Sequence, residues 1–536
     1  FEVFRRTSIE VPGVPRSPAR DIRAVALVPG TGEYALATEP VRFDRGKGDS
    51  EIINIHNDLG LVDLKASIGQ MVADLPSVGS VSLVVSWFGN DLRCDRCELR
   101  PAVEQSIQDG TPMHWKVSGT SRSAAKVISQ IDGRPIFGGT PSDASVVQAI
   151  RYLRETGLRV VFYPFILMDI QEGNGLADPW TGAANQPSIP WRGRITLSTA
   201  PGGHGSPDKG SGAVEQVSAF FGSAKGTDFN PADESVAYSG PNEWSYRRFI
   251  LHYAHLCAAA GSVDAFCIGS EMRGVTQIRG PNGRYPAVSE LCELALEVRS
   301  ILGADVKIGY AADWSEYFGH HPADGSGDVN FHLDPLWSHS EMDFIGIDNY
   351  MPISDWRDGS DHADAAAGSI YNLDYLKANV AGGEGYNWYY ASSSDRDAQR
   401  RSPISDGAYG EDWAFRYKDL ANWWSHAHVN RVGGVRTETT SWRPRSKPIW
   451  FTELGCPAVN KGTNQPNVFY DPKSSESFFP YYSSGARDDF IQARYLQAMF
   501  AHWENPANNP MSEVYGGPMV DMSRAHVWAW DARPWP

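Results

Sequence analysis

The stretch "DAFCIGSEMRG", residues 264–274, is where the fold can be read. Ala265, Phe266, Cys267 and Ile268 make an apolar run of the kind found in strands covered on both faces, as a parallel sheet flanked by helices requires. The run ends by presenting a carboxylate, Glu271. In parallel α/β architectures the carboxyl ends of the strands form the rim that holds the chemistry.

Working outward, the same pattern recurs along the chain. Helical "VDLKASIGQMVADL" precedes "VSLVVSWF", and "SDASVVQAIRYLRETG" precedes "LRVVFYPFILMD". "EWSYRRFILHYAHLCAAAG" leads to "AFCIGSE", and "AVSELCELALEVRSILG" leads to "VKIGYAAD". "DFIGIDNYMPI" and "PIWFTELG" follow, and "DDFIQARYLQAMFAHWE" leads to "AHVWAWD". These are seven buried-type strands, and the β-like stretches "IRAVALVPG" and "GEYALATEPVRF" leave room for an eighth near the N-terminus. Such alternation predicts an α/β fold, a closed (β/α)8 TIM barrel, over an open doubly wound sheet.

The division expected is a β-rich lead-in segment over 1–60, able to supply the first strand, and a barrel over 61–536. Two stretches break the rhythm: about 170–242, rich in Gly, Ser, Pro and Asp, and about 355–447, where "EDWAFRYKDLANWWSHAHVN" predicts a helix among irregular aromatic text. Both follow strand ends, so both would overhang the catalytic face as long loop insertions.

Bulk composition agrees with a scaffold carrying elaborate loops. The 536 residues are 41% hydrophobic, with 52 Gly and 35 Pro. A formal charge of −16 argues against nucleic acid, which needs a concentrated basic face, and makes neutral or cationic partners easier to accommodate. No apolar run approaches the roughly 18 residues of a membrane span, and "FEVFRRTSIEVPG" has no signal-peptide core. The chain starts without Met and stops after a strand-like run, and is read as part of a longer polypeptide. Six cysteines do not make a disulfide framework. Cys94 and Cys97 in "CDRC" lack the second pair of a zinc site and are read as a local disulfide or plain thiols.

The second carboxylate gives the first its meaning. "KPIWFTELGCPA" repeats the design of an apolar strand ending in an acid, here Glu453, about 180 residues beyond Glu271. In a barrel, strands three apart can aim their terminal carboxylates at one point. Paired glutamates flanking a scissile bond are what glycoside hydrolysis needs, with a separation of roughly 5–5.5 Å for retention and above about 6.5 Å for inversion. The aromatic residues suit sugar, since an apolar face with a polar edge stacks on a pyranose and bonds its hydroxyls. Trp87, Tyr163, Trp314, Tyr350, Trp528 and Trp530 lie at strand ends, and Trp180, Trp191, Trp356, Trp388, Trp423 and Trp424 lie in the overhanging segments. Asp313, Asp348, Asn349 and Asp531, also at strand ends, are candidates to bind sugar hydroxyls. His320, His321, Asp324, Asp328 and His332 have metal-ligating types but no ligand spacing, and read as a solvated polar loop. No phosphate-binding or dinucleotide motif is present, and neither cofactor nor metal is expected.

"IGSEM", "IGIDNYMP", "WFTELG" and "VWAWDARPWP", in this order, resemble the strand endings of clan A glycoside hydrolases, retaining (β/α) barrels with their acid/base and nucleophile on strands four and seven. More closely, "FGGTPSDASVVQAI", "WFTELGCPAVNKGTNQPNVFYDPKSSES" and "DARPWP" resemble the barrel domain of the tail-tip protein of gene transfer agents, which are phage-like particles. The resemblance runs from about residue 60 to the end. It implies Glu271 as acid/base, Glu453 as nucleophile, Tyr350 as the group orienting that nucleophile, and Trp528 as the floor of the sugar site. Most clan members place Asn before the acid/base; here Ser270 takes that place. The implied substrate is a cell-envelope polysaccharide, capsule or peptidoglycan glycan, and the implied neighbours are other tail and baseplate proteins. The expected location is the tail tip, acting at the bacterial envelope after synthesis in the cytoplasm. The competing reading is a structural or glycan-binding barrel without turnover.

Catalysis would need Glu271 protonated and Glu453 ionised at the start. Burial and the charge of Glu453 are expected to hold the proton on Glu271, and Tyr350 to keep Glu453 anionic, giving a bell-shaped rate profile on the acid side of neutrality.

Overall fold

A computed structural model describes residues 17–30 and 32–534. In chain order its main elements are β1 (Ala24–Val28), α1 (Asp63–Asp74), β2 (Ser80–Gly89), α2 (Asp143–Glu155), β3 (Arg159–Met168), α3 (Ser211–Phe221), α4 (Tyr246–Ala259), β4 (Ala265–Ser270), α5 (Pro286–Leu302), β5 (Lys307–Asp313), β6 (Phe344–Asn349), β7 (Ile449–Leu454), α6 (Asp489–Trp503) and β8 (His526–Asp531). Each of these strands pairs in parallel with the next, β1 also pairs with β8, and the sheet thereby closes as a (β/α)8 barrel. The first barrel strand lies inside the lead-in stretch, as "AVALV".

Helix boundaries follow local chemistry. Ser142 caps α2 by accepting from the Ser145 amide, Ser245 caps α4 by accepting from Arg248, and Asp488 caps α6 by accepting from Ile491. Pro286 opens α5 and Gly303, at φ 83°, closes it. Two expectations change. The helix expected over 411–430 shrinks to Leu420–Ser425, because the chain turns extended at His426 to enter a hairpin, Val429–Val432 with Val435–Thr439. An excursion over 90–139, after β2, was not foreseen; its two-residue strands are too short to leave a periodic pattern, and it is pinned by buried Arg122 bonding Glu33 of the lead-in.

Two apolar layers hold the barrel. The outer layer lies between strands and helices, while the interior is filled by Ala26, Val84, Val161, Cys267, Ala311 and their neighbours. Phe344 and Trp450 stack inside it with ring centroids 3.8 Å apart. Gly309 makes room for this plug, since a Cβ there would lie 2.2 Å from the Phe344 ring. The carboxyl end of the barrel interior is polar instead, and the candidate site lies there.

Among the described residues no helix is long and apolar enough to cross a membrane. All six cysteines are free thiols, and burial pushes Cys97 up to about 12 and Cys94 upward as well, so "CDRC" is a buried, unreactive pair.

Candidate active site

Three strands carry one extra residue where they reach the rim. On β4 the step from Cys267 to Ser270 faces the step from Gly309 to Ala311. On β7 Phe451 to Glu453 faces Ile347 to Asp348, and on β8 Val527 to Trp530 faces Val25 to Leu27. Such bulges re-aim side chains, because one added residue reverses the alternation of a strand. Glu271, Glu453 and Trp528 each lie at or just after one. Regular alternation would have put Trp528 and Trp530 on one face; here Trp528 packs with the barrel interior and Trp530 with the outer layer, its indole donating to Ser67 at 2.8 Å. Gly269, at φ 152°, permits the β4 bulge, since a Cβ would fall 1.7 Å from the Tyr246 hydroxyl, which donates to the Ile268 carbonyl. Glu271 itself adopts φ 49°, a left-handed conformation uncommon outside glycine and typical of strained functional positions.

The bulges bring Glu271, Asp348 and Glu453 together, with one carboxyl oxygen of each within 4.8 Å of the others. All three are buried. Tyr350 donates to Glu453 Oε2 at 2.5 Å and Tyr163 to Glu453 Oε1 at 3.0 Å. Tyr163 also lies 2.7 Å from Asp348 Oδ2, and Thr452 donates to Asp348 Oδ1 at 2.7 Å. Glu271 is held differently. The Trp191 indole donates to its Oε2 at 2.6 Å, and an Arg192 Nη lies 2.9 Å from the same oxygen, poorly aligned for a hydrogen bond but close enough for an ion pair. Arg192 also donates from Nε to the Ser270 carbonyl and lies flat over Phe165, 3.7 Å from its centroid; Phe165 in turn stacks on Trp528.

Proton affinities follow from this crowding. Burial, then the negative Glu271, push Glu453 up to about 7, against the opposing pull of Arg192 and the two tyrosine hydroxyls. Asp348, beside both glutamates, is pushed well above the carboxylate range by burial, then by Glu453 and Glu271. Asp313 rises to about 6 through burial and then Glu271. Glu316 rises to about 8, mainly through burial; it accepts from Tyr310, Thr276 and the Asp313 amide, and Tyr310 accepts from the Met272 amide, so this neutral acid braces the turn that carries Glu271. For Glu453 the tyrosine hydroxyls do not outweigh burial, and its proton is held into the neutral range, against the expectation that Tyr350 keeps it anionic.

Several expectations are corrected. Trp87 is fully buried outside the barrel, donating to Tyr253 at 3.0 Å and packing on Phe249 of α4, so it is core and cannot touch a ligand. Asn349 is buried and accepts from the Met351 amide in its own turn. Asp348 is sealed under the glutamates, away from any sugar hydroxyl. Asp531 lies at the rim, accepting from Arg533. Trp423 and Trp424 are core of their own insertion. Ser270 is buried beside Glu271 with its hydroxyl unpartnered. Trp314 lines a cleft of about 500 Å³ beside the site, together with Trp180 and Tyr417. The loop read as solvated is partly buried: His320 bonds Tyr285, and His332 is enclosed. Arg192 went unnoticed in the sequence, where nothing marks a loop arginine for a partner on another strand.

Fold and site together define a (β/α)8 barrel with paired glutamates at the carboxyl ends of strands four and seven. Residues 244–536, more than half the chain, match the family described as the GTA TIM-barrel-like domain, and the chain belongs to that family. No curated protein matches it. Solved structures with a similar chain path include a GH113 β-1,4-mannanase, at 15% identity over 88% of this chain and 84% of that one with a TM-score of 0.37. The GH113 β-mannanase AaManA from Alicyclobacillus acidocaldarius, in complex with ManMIm, is 14% identical over 96% and 88% with a TM-score of 0.41. The Ignisphaera aggregans GH53 catalytic domain is 12% identical over 91% and 98%, TM-score 0.27. These likenesses are distant and concern the barrel alone.

Proposed function

We propose that this chain is a retaining glycoside hydrolase domain of a phage-like tail-tip protein, acting on a cell-envelope polysaccharide, capsule or peptidoglycan glycan, beside other tail and baseplate proteins. The observation that carries the reading is the approach of Glu271 and Glu453, with oxygens within 4.8 Å. An approach that close favours the short separation of retaining pairs, roughly 5–5.5 Å, over the gap above about 6.5 Å of inverting ones.

In the first step Glu453 forms a bond to the anomeric carbon as the glycosidic C–O bond breaks, and Glu271 gives its proton to the leaving oxygen. In the second, Glu271 takes a proton from water, the water oxygen attacks the anomeric carbon, and Glu453 leaves as a carboxylate. Glu271 must therefore carry the proton when substrate is bound. Burial holds a proton on Glu453 into the neutral range against the pull of Arg192, and that proton has to pass to Glu271 before the first step. Substrate entry that moves Arg192 off Glu271 would return the proton to the acid. Phe165 and Trp528 supply the apolar wall for the sugar ring.

The same Arg192 and Trp191 favour a second reading, a glycan-binding barrel in which Glu271 stays locked. Turnover of host capsular and cell-wall glycans by the purified domain, with Glu271→Gln and Glu453→Gln alongside, separates the two. Cleavage lost in either variant supports the hydrolase; binding without cleavage supports the recognition barrel.

A further inference from the structure

The cleft beside Glu271 has a charge that the bulk composition hides. Its lining includes Arg273 and Gly274, two and three residues past Glu271, together with the aromatic rings of Trp180, Trp314, Phe318 and Tyr417. Trp314 and Tyr417 meet edge to face at 4.8 Å, forming one corner. An aromatic corner in an open cleft suits the apolar face of a sugar.

The charged groups of this rim are mostly spoken for. Arg279 is paired with Asp208 at 2.6 Å and Asp324 at 3.1 Å, and Lys209 reaches Asp324 at 3.4 Å. His320 and His321 are uncharged at neutral pH, pushed down to about 3 and about 4, mainly by burial. Arg273 is the exception. It is half-buried, its Nε is shut off from solvent without a partner, and among the described residues its guanidinium forms no ion pair, hydrogen bond or ring contact. Asp313 lies within its electrostatic reach but not in contact. A partly desolvated guanidinium without a partner is a costly arrangement for structure alone, and a planar fork of donors is matched to a carboxylate.

Resting on the glycosidase reading of the neighbouring glutamates, we infer that the substrate is an acidic polysaccharide, and that Arg273 binds a sugar carboxylate in the cleft, on the side where Glu271 meets the leaving group. The formal charge of −16 would disfavour such a polymer elsewhere on the surface, so recognition is confined to this cleft. Arg273 acts here as a specificity residue and takes no part in bond breaking.

Affinity electrophoresis of the whole chain through gels containing hyaluronan, alginate or polygalacturonate, each beside its carboxyl-reduced neutral form, tests this without relying on turnover. At least one acidic polymer should retard the protein more than its reduced form. Arg273→Gln should weaken that binding by about tenfold, the worth of one charge-assisted pair, and Arg273→Lys should restore part of it. Glu453→Gln should keep the preference while abolishing cleavage, so a failed hydrolase reading and a failed acidic-glycan reading are told apart. Equal retardation by acidic and reduced polymers, retardation by none, or an Arg273→Gln variant that keeps the preference overturns the inference.

Discussion

The two glutamates of the site are held by different kinds of structure. Glu453 is framed by strands: Tyr163 from β3, Asp348 from β6 and Tyr350 just beyond it are all fixed by barrel register. Glu271 is framed on its open side by a loop, since Trp191 and Arg192 come from the long insertion after β3. A strand-built shell fixes position, whereas a loop-built shell can also withdraw. On the proposed mechanism, the nucleophile would then lie on the rigid side of the barrel and the acid on the side that substrate can remodel.

The most severe test of this contrast removes each carboxylate. Glu271→Gln and Glu453→Gln should each lower turnover on a cleavable envelope glycan by about 10³-fold or more, and a variant retaining most activity would break the pairing. Next in size is the contrast between two tryptophans. Trp87→Ala should destabilise the fold by about 3–5 kcal/mol, read by denaturant unfolding, while Trp528→Ala should weaken glycan binding with a much smaller loss of stability. Tyr350→Phe deletes one short hydrogen bond to Glu453 and should cost about 1.5–3 kcal/mol of transition-state stabilisation, seen in kcat/KM.

Two smaller effects are read by pH. Folding raises Glu453 to about 7, so the folded chain binds more protons than the unfolded chain between the ordinary carboxylate range and that value. The stability this contributes is present at low pH and lost as pH rises through about 7. Glu453→Gln should therefore stabilise the fold by on the order of 2 kcal/mol at about pH 8 and change little at about pH 4, in paired thermal scans. The descending limb of the rate profile, which reports loss of the last proton from the two glutamates, should accordingly fall near neutrality. Because Arg192 pulls Glu453 down, Arg192→Gln should move that limb upward by roughly one pH unit, and an unmoved limb would separate Arg192 from the proton balance.

The barrel was legible because covered parallel strands leave apolar runs that no other element of this length produces, and both terminal glutamates stood out as the polar ends of such runs. Tyr350 and Trp528 stood out as strand-end aromatics, and their particular roles entered through the resemblance. The bulges were not legible, because a parallel-strand bulge has no composition beyond an occasional glycine such as Gly269. Trp87 and Tyr163 lie in strands of the same kind, but Trp87 faces outward and Tyr163 inward, and alternation read without register cannot tell the two apart. Arg192 lies 79 residues before Glu271 in an irregular loop, and only the folded chain brings them together. The expectation that Tyr350 keeps Glu453 anionic failed for a related reason: a tyrosine can be read from the chain, but the depth to which the folded barrel buries the carboxyl cannot.

The central claim is a double displacement through Glu453, and product stereochemistry tests it most directly. With a host envelope glycan that the domain cleaves, proton NMR during the first minutes of reaction should show the newly formed reducing end with the anomeric configuration of the bond that was cut. Release of the opposite anomer would contradict the account.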